Sequence, residues 1–492
     1  MSTGPHALLE AWESWKGGID CEQTGRCWSA EELRVASSRL CTELSRTGLA
    51  PGDLVALLIS NTVAFPVALV AVLQRGAHPV LLPTGTRSAE LERQALQCGI
   101  GWALHDFLDV TSGLDPEQHS GIATLDAATL DLSLLDLGES VPVPPEQLDP
   151  AGVLLHPTSG TYGHASFCVR DQRVAVAEGA NFLARITPYA GIRMRVTTPL
   201  SHAYAFGFGL VASVLSHGTL VIDSHLNPRR LLALEQEDPS QVLALVPPVA
   251  RLLAELGARV PSPRMAPLVF YAGAPCPDPV REAFEGVFPS RLLAIYGSTE
   301  TGAIASSFTA GPGTPQVGVG RPLPGVQVSL RDPQTYQSLG DGVGEVVVRS
   351  SSMMQGYWRA TERWIETGAF PTGDLGRLVG DQLVLVGRVK EMINLGGLKV
   401  DPAEVEAVLH SHPNVIEAAV YPGLRPDGQE LVQAAVVLHD PDLGTESLRA
   451  HCLSRLSESK VPVRLHTVQA LPRTPSGKCL RIRCPDFPVL SG

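Results

Sequence analysis

The sequence predicts an α/β fold, in which a large first part of layered parallel sheet with helices ends in a β-rich subdomain and a small α+β unit follows. Three observations carry this expectation. Short apolar runs without polar alternation, such as residues 54–59, recur between helical patterns, which is how parallel strands covered on both faces read. Valine-rich, turn-bounded stretches cluster after Gly344. Beyond the segment GRVKEMINLGGLKV a compact helix, strand, strand, helix pattern begins.

Taken in order, Ser29 and Glu32 form a capping box, and Leu33, Leu40 and Leu44 follow at helical spacing until Gly48, so a helix fills this stretch. A buried strand is expected over 54–59, a helix over 63–74 stopped by Gly76, a strand over 79–82 and a helix over 88–97. Residues 138–152 hold four prolines and read as a loop between subdomains. A short strand over 153–155 then runs into a loop rich in Gly, Ser and Thr, and strand-to-loop junctions of this kind are where ligands sit in such sheets. Residues 345–349 and 382–386 are the valine-rich strands. The last unit has a helix over 402–410 capped by Asp401 with Glu404 behind it, strands over 415–421 and 431–438, and a helix near 446–456.

Bulk properties narrow the function classes. With 492 residues there is chain for about three compact units, or one large domain carrying a smaller one. Thirty-eight basic against 50 acidic side chains leave a net charge of −12, and no basic run is interleaved with aromatics, which argues against a nucleic-acid partner. The most apolar run, residues 63–73, falls far below the roughly 20 residues that span a bilayer, and the start has no basic region before an apolar one, so a cytoplasmic location is expected. Nine scattered cysteines without a C-x-x-C pair fit neither a disulfide framework nor a zinc site.

Four stretches carry chemistry. Thr158-Ser159-Gly160-Thr161-Tyr162-Gly163 supplies hydroxyls and backbone N–H groups to a polyphosphate, although a structural turn has the same composition. Tyr296-Gly297-Ser298-Thr299-Glu300-Thr301-Gly302 brings an aromatic, a close-approach glycine and a carboxylate within reach of a nucleotide base and a magnesium ion. Thr372-Gly373-Asp374 and Gly387-Arg388 follow strand-like residues, where the carboxylate and the guanidinium suit ribose hydroxyls or simply a surface ion pair. Pro472-Arg473-Thr474-Pro475-Ser476-Gly477-Lys478 presents a lysine on a Gly/Pro loop, either solvated or poised at a reacting phosphate.

The order of these stretches, joined by PLSHAYAFG, YAGAP and GRVKEMINLGG, resembles the acyl-adenylate-forming superfamily: acyl- and aryl-CoA ligases, stand-alone adenylation domains and firefly-type luciferases. The resemblance runs from about Ser29 to Arg481. It implies a domain of residues 1–386 that binds ATP and acid, a hinge at 387–391 containing Lys390, and a mobile C-terminal domain over 392–492. It also implies that Thr158, Ser159, Gly160, Thr161 and Gly163 hold the β and γ phosphates. Gly273, Ala274 and Pro275 would sandwich the adenine with Tyr296, and Asp374 and Arg388 would bind the ribose. Thr299 would contact the α-phosphate, Glu300 would hold Mg2+, and Lys478 would bridge the carboxylate and the α-phosphate.

For the acid, His202, Ala203, Tyr204, Tyr271, Gly273 and Gly297 would surround the pocket. SHAYAFGFG lacks the aspartate with which amino-acid-activating domains pair an ammonium, so an aryl or medium acyl acid without an α-amino group is expected. Gly396 and Gly397 would border the channel for the acceptor, which is coenzyme A on the wording of KEMINLGGLKV, or alternatively a separate acyl carrier protein or an amine. A homodimer is left open. Where the family has Pro-Lys-Gly, this chain has Ala165-Ser166-Phe167. Three readings follow from the lost lysine: weakened but sufficient pyrophosphate binding, compensation by His164, or a nucleotide-binding homologue without the ordinary reaction.

Overall fold

The computed structural model describes residues 4–22, 24–84, 86, 88–106, 123–126, 131–137, 151–158, 166–186, 191–224, 227–308, 317–333, 335–340, 342–359, 368–389, 393–395, 398–400, 402–424, 430–440, 445–456, 458–473 and 479. The Ser29 capping box closes as expected: its backbone N–H donates to Glu32 Oε2 at 2.8 Å and the Glu32 N–H donates back to Ser29 Oγ. The helix Ala30–Leu44 follows it. The expected strand and helix pairs appear as Leu54–Leu58, Ala64–Gln74, His78–Leu81 and Ser88–Cys98. Ala64–Gln74 is apolar on all sides, and every residue from Ala64 to Leu73 is buried, as an internal helix requires.

Two large sheets form the body. The first runs in the order Arg321–Pro322, Gly302–Ser306, Arg291–Ser298, Leu268–Tyr271, Val242–Leu245, Arg193–Val196, Thr219–Ile222, Gly18–Cys21, Arg26–Ser29. Its six central strands are parallel, while Gly302–Ser306 and Arg26–Ser29 pair antiparallel at the flanks. The second sheet has a parallel centre of His78–Leu81, Leu54–Leu58 and Trp102–His105, to which Val153–Thr158 adds in parallel. A large apolar cluster that includes Phe65, Val70, Phe182, Phe206 and Phe270 draws on strands of both sheets and on the helices Ala30–Leu44, Ala64–Gln74 and Gln172–Ile186.

The strand expected over 153–155 extends to Thr158, which places that residue on the sheet instead of in the loop. Its partner is an antiparallel return strand, Ser166–Asp171, with Thr158 opposite Ser166. Residues 138–150 and Asp401, read as a loop and a helix cap, lie outside the described residues.

The valine-rich stretches form a five-stranded antiparallel sheet containing Gly344–Ser350, Phe370–Val379 and Gln382–Arg388. The last strand carries Gly387 and Arg388, at the start of the expected hinge. The closing unit has the helix Pro402–His410, strands Val415–Leu424 and Glu430–Leu438, and the helix Thr445–Leu453. A further strand, Arg464–Thr467, adds parallel to Glu430–Leu438. The unit has its own apolar cluster around Val405, Leu409, Val420, Val436 and Leu448.

Candidate active site

Parallel strands end in loops at their C-terminal edges, where Ala272, Gly273, Thr299 and Glu300 lie, while Asp374 and Arg388 come from strands of the antiparallel sheet. Leu268–Tyr271 ends one residue before Ala272 and Gly273; the latter has φ +87°, a left-handed conformation that glycine adopts without strain. A Cβ at this glycine would meet only Val246 Cγ1, at 3.9 Å, so the backbone stays open to close approach. The neighbouring strand bulges between Tyr296 and Gly297, and a Cβ on Gly297 would stand 2.5 Å from the Gly302 carbonyl oxygen.

Three expected nucleotide-binding residues meet. The Tyr296 hydroxyl donates to Asp374 Oδ2 at 2.7 Å, and Arg388 Nε lies 2.7 Å from Asp374 Oδ1. Cross-strand pairing of Asp374 with Arg388 aligns the two charges. Thr372 Oγ1 accepts from the Asp374 backbone N–H, and the Glu345 carboxylate accepts from Gly373 N–H, which fixes the part of the strand Phe370–Val379 that carries the aspartate. Burial, followed by the Asp374 charge, pushes the Tyr296 phenol well above its ordinary range, so it remains a donor.

Thr299 and Glu300 occupy the turn between Arg291–Ser298 and Gly302–Ser306. Ser298 and Thr301 hydroxyls lie 3.0 Å apart across this turn, and Ser352 Oγ donates to the Thr301 carbonyl. Glu300 accepts from the Tyr357 hydroxyl at 2.9 Å, and its carbonyl accepts from Met354 N–H at 2.7 Å. Tyr357 belongs to the short strand Gly356–Tyr357, which pairs with the return strand at Cys168 and Val169. Sequence reasoning missed it; the available signal was Gly356-Tyr357-Trp358, a glycine followed by two aromatics.

At the expected acid site, His202 Nδ1 accepts from the Tyr204 backbone N–H at 3.3 Å, leaving Nε2 to carry the proton of the neutral ring. Burial holds the His202 pKa below its usual value. The Tyr204 hydroxyl donates to the Phe270 carbonyl at 3.2 Å, and burial raises its pKa strongly. Burial also raises the Tyr271 phenol, and it pushes the nearby Cys276 thiol up to about 12, which makes that thiol inert at neutral pH. Residues 205–211 continue as a π-helical turn whose Phe208 packs 3.8 Å from Phe182 and 5.1 Å from Tyr204, centroid to centroid. This aromatic wall, with Phe270 behind it, was not singled out from sequence.

Ser159, Gly160, Thr161, Gly163, His164, Lys390, Gly396, Gly397 and Lys478 lie outside the described residues. Among the described residues no group of three or more His, Cys, Asp or Glu is placed to hold a metal. The carboxylate expected to hold Mg2+, Glu300, lies in the turn between Arg291–Ser298 and Gly302–Ser306, and such an ion usually takes one or two carboxylates and completes its shell from phosphates and water. No helix among the described residues is long and apolar enough to cross a membrane.

Residues 13–358 match the AMP-binding enzyme family, and residues 404–478 match the AMP-binding enzyme C-terminal domain. The chain belongs to the AMP-binding enzyme family. Among curated AMP-binding enzymes it is 29% identical to 4-coumarate–CoA ligase-like 9 of Oryza sativa subsp. japonica, with 98% of this chain and 92% of that one covered. It is 31% identical to sulfoacetate–CoA ligase of Cupriavidus necator over 70% of this chain and 68% of the relative. Among solved structures, an amide bond synthetase from Marinactinospora thermotolerans superposes with a TM-score of 0.82 at 26% identity, covering 98% of this chain and 99% of that one. Both the superfamily and the layered α/β architecture read from the sequence are therefore those of this chain.

Proposed function

We propose that the chain uses ATP and Mg2+ to activate a carboxylic acid as its acyl-adenylate and then transfers the acyl group to the thiol of coenzyme A. The single observation that carries this reading is the joined set of Tyr296, Asp374 and Arg388, with Tyr296 close in sequence to Thr299 and Glu300, in a chain of the AMP-binding enzyme family. A nucleotide fits this arrangement. Gly273 leaves backbone open to a flat base, Tyr296 offers a ring face, and the Asp374 carboxylate can accept from a ribose diol.

In this reading an oxygen of the substrate carboxylate attacks the α-phosphorus, the bond to the β-phosphate oxygen breaks, and pyrophosphate leaves with that electron pair. Thr158 to Gly163 hold the departing phosphates, Thr299 contacts the α-phosphate, and Glu300 holds Mg2+, which supplies charge neutralisation when bound. Lys478 meets the charge that builds between the carboxylate and the α-phosphate. The acceptor thiol loses its proton and attacks the acyl carbon; the bond to AMP breaks and AMP leaves. His202, Ala203, Tyr204, Tyr271, Gly273 and Gly297 surround an aryl or medium acyl acid, with Phe208 and Phe270 closing the wall. The working units are residues 1–386, a hinge over 387–391 with Lys390, and a mobile unit over 392–492 in which Gly396 and Gly397 border the acceptor channel.

One observation favours a second acceptor: the likeness to an amide bond synthetase over nearly the whole chain supports transfer to an amine. Acid-dependent exchange of labelled pyrophosphate into ATP, measured across aryl and alkyl acids, tests the first half. Exchange that disappears in Lys478→Ala is expected; absence of exchange with every acid overturns adenylation and leaves the nucleotide-binding homologue. Acyl-CoA, acyl-carrier or amide products, separated by mass spectrometry, decide the acceptor.

A further inference from the structure

Both ends of the segment that contains Lys478 are anchored by described residues. Arg473 and Cys479 form an antiparallel bridge, and Cys479 packs against the small cluster of Ala419, Tyr421, Ala435, Val468 and Leu471. Arg473 Nη2 also lies 2.8 Å from Glu417 Oε1. Glu417 stands in Val415–Leu424, where the pairing with Glu430–Leu438 slips between Val415 and Glu417. The same carboxylate oxygen is 3.7 Å from Arg251 Nη1.

Arg251 belongs to the other part of the molecule. It sits in the helix Pro247–Gly257, whose first turn follows Val246, the residue nearest Gly273 of the candidate adenine site. A second acceptor for Arg251, Glu255, lies one turn further along the same helix at 4.0 Å and is 61% exposed, against 20% for Glu417. Arg251 thus stands between a carboxylate on its own helix and one on the C-terminal unit.

We propose that Glu417 is a positioning residue: one carboxylate docks the C-terminal unit on the helix Pro247–Gly257 through Arg251 while it holds Arg473 of its own unit. The inference rests on the reading that Lys478 serves adenylation. The strengths of the two contacts suit different tasks. Glu417 and Arg473, at hydrogen-bonding distance, stay together as a unit. Glu417 and Arg251, farther apart and only partly buried, form a contact that salt screens and that can break in every turnover, with Arg251 falling back on Glu255.

The test combines a distance readout with a rate readout. Fluorophores carried by unnatural amino acids at the exposed positions Leu96 and Leu453 report the separation of the two units by energy transfer. Arg251→Glu, which sets two carboxylates against each other, is expected to shift the transfer efficiency; Arg251→Lys is expected to keep it, and high salt to move the wild type toward Arg251→Glu. In parallel, the ratio of pyrophosphate exchange to acyl transfer from the adenylate onto hydroxylamine is expected to change by roughly three- to tenfold in Arg251→Glu. Arg251→Gln should add nothing further in a Glu417→Gln background. An unchanged distance and ratio in Arg251→Glu, or additive effects in the double variant, overturn the proposal. A wild type without exchange defeats the adenylation reading instead, while the distance readout still judges the ion bridge.

Discussion

A methyl group at residue 297 would stand 2.5 Å from the Gly302 carbonyl oxygen, closer than van der Waals contact, so Gly297→Ala has to push the strands Arg291–Ser298 and Gly302–Ser306 apart. The expected cost is about 1–3 kcal/mol, seen as a lowered melting temperature together with weaker exchange activity. Asp374→Asn acts differently. It removes the charge shared by Tyr296 and Arg388, and KM for ATP should rise roughly 10- to 100-fold with little change in melting temperature, as steady-state kinetics would show. At this scale the candidate site was legible in part. Residue types at Tyr296, Asp374 and Arg388 suit a base and a ribose but equally a turn with a surface ion pair, and only the order of the motifs along the chain favours the nucleotide. Their meeting was not legible, since Tyr296 and Asp374 are 78 residues apart in two different sheets, and only the packing of the five-stranded sheet against the first brings them together.

Elements explain what single residues leave open. The return strand Ser166–Asp171 pairs with Gly356–Tyr357, which delivers the hydroxyl whose hydrogen bond Glu300 accepts. Tyr357→Phe should therefore raise the Mg2+ concentration needed for half-maximal exchange several-fold and leave KM for the acid unchanged, as a magnesium titration would reveal. The same strand buries Arg170 against Glu178 of the next helix, and a Cβ on Gly302 would come 3.2 Å from the Glu178 carboxyl carbon. Arg170→Met alone should destabilise the fold by roughly 3–5 kcal/mol, because it strands a buried carboxylate, and Arg170→Met with Glu178→Leu should recover part of that loss in denaturant melts. Sequence patterning missed this strand because SFCVRD mixes an aromatic, a cysteine and two charges, and its core-facing arginine reads as a surface residue. By contrast, the Ser29 box and the unbroken apolar runs are local signals, and the elements they marked formed within one or two residues of expectation.

For the whole molecule, acid sensitivity follows from two histidines. Burial, aided by the Arg170 charge, holds His156 well below its ordinary 6.5, and burial lowers His202 as well. The unfolded chain binds these protons where the folded one does not, so their contribution to stability is complete above about pH 6.5 and is lost as pH falls below it. Melting temperature should decline from pH 7 to pH 5, and His156→Phe should flatten that decline.

The hairpin at the chain's start joins the first sheet through Thr219–Ile222, about 200 residues downstream. At ribosomal speeds of roughly 5–20 residues per second, its partner emerges about 10–40 s after it does. During synthesis the second sheet, whose strands all lie before residue 172 except Gly356–Tyr357, has its sequence available first. Until Thr219–Ile222 arrives, one edge of Gly18–Cys21 lacks its parallel neighbour, and such an edge is a template for pairing with another chain.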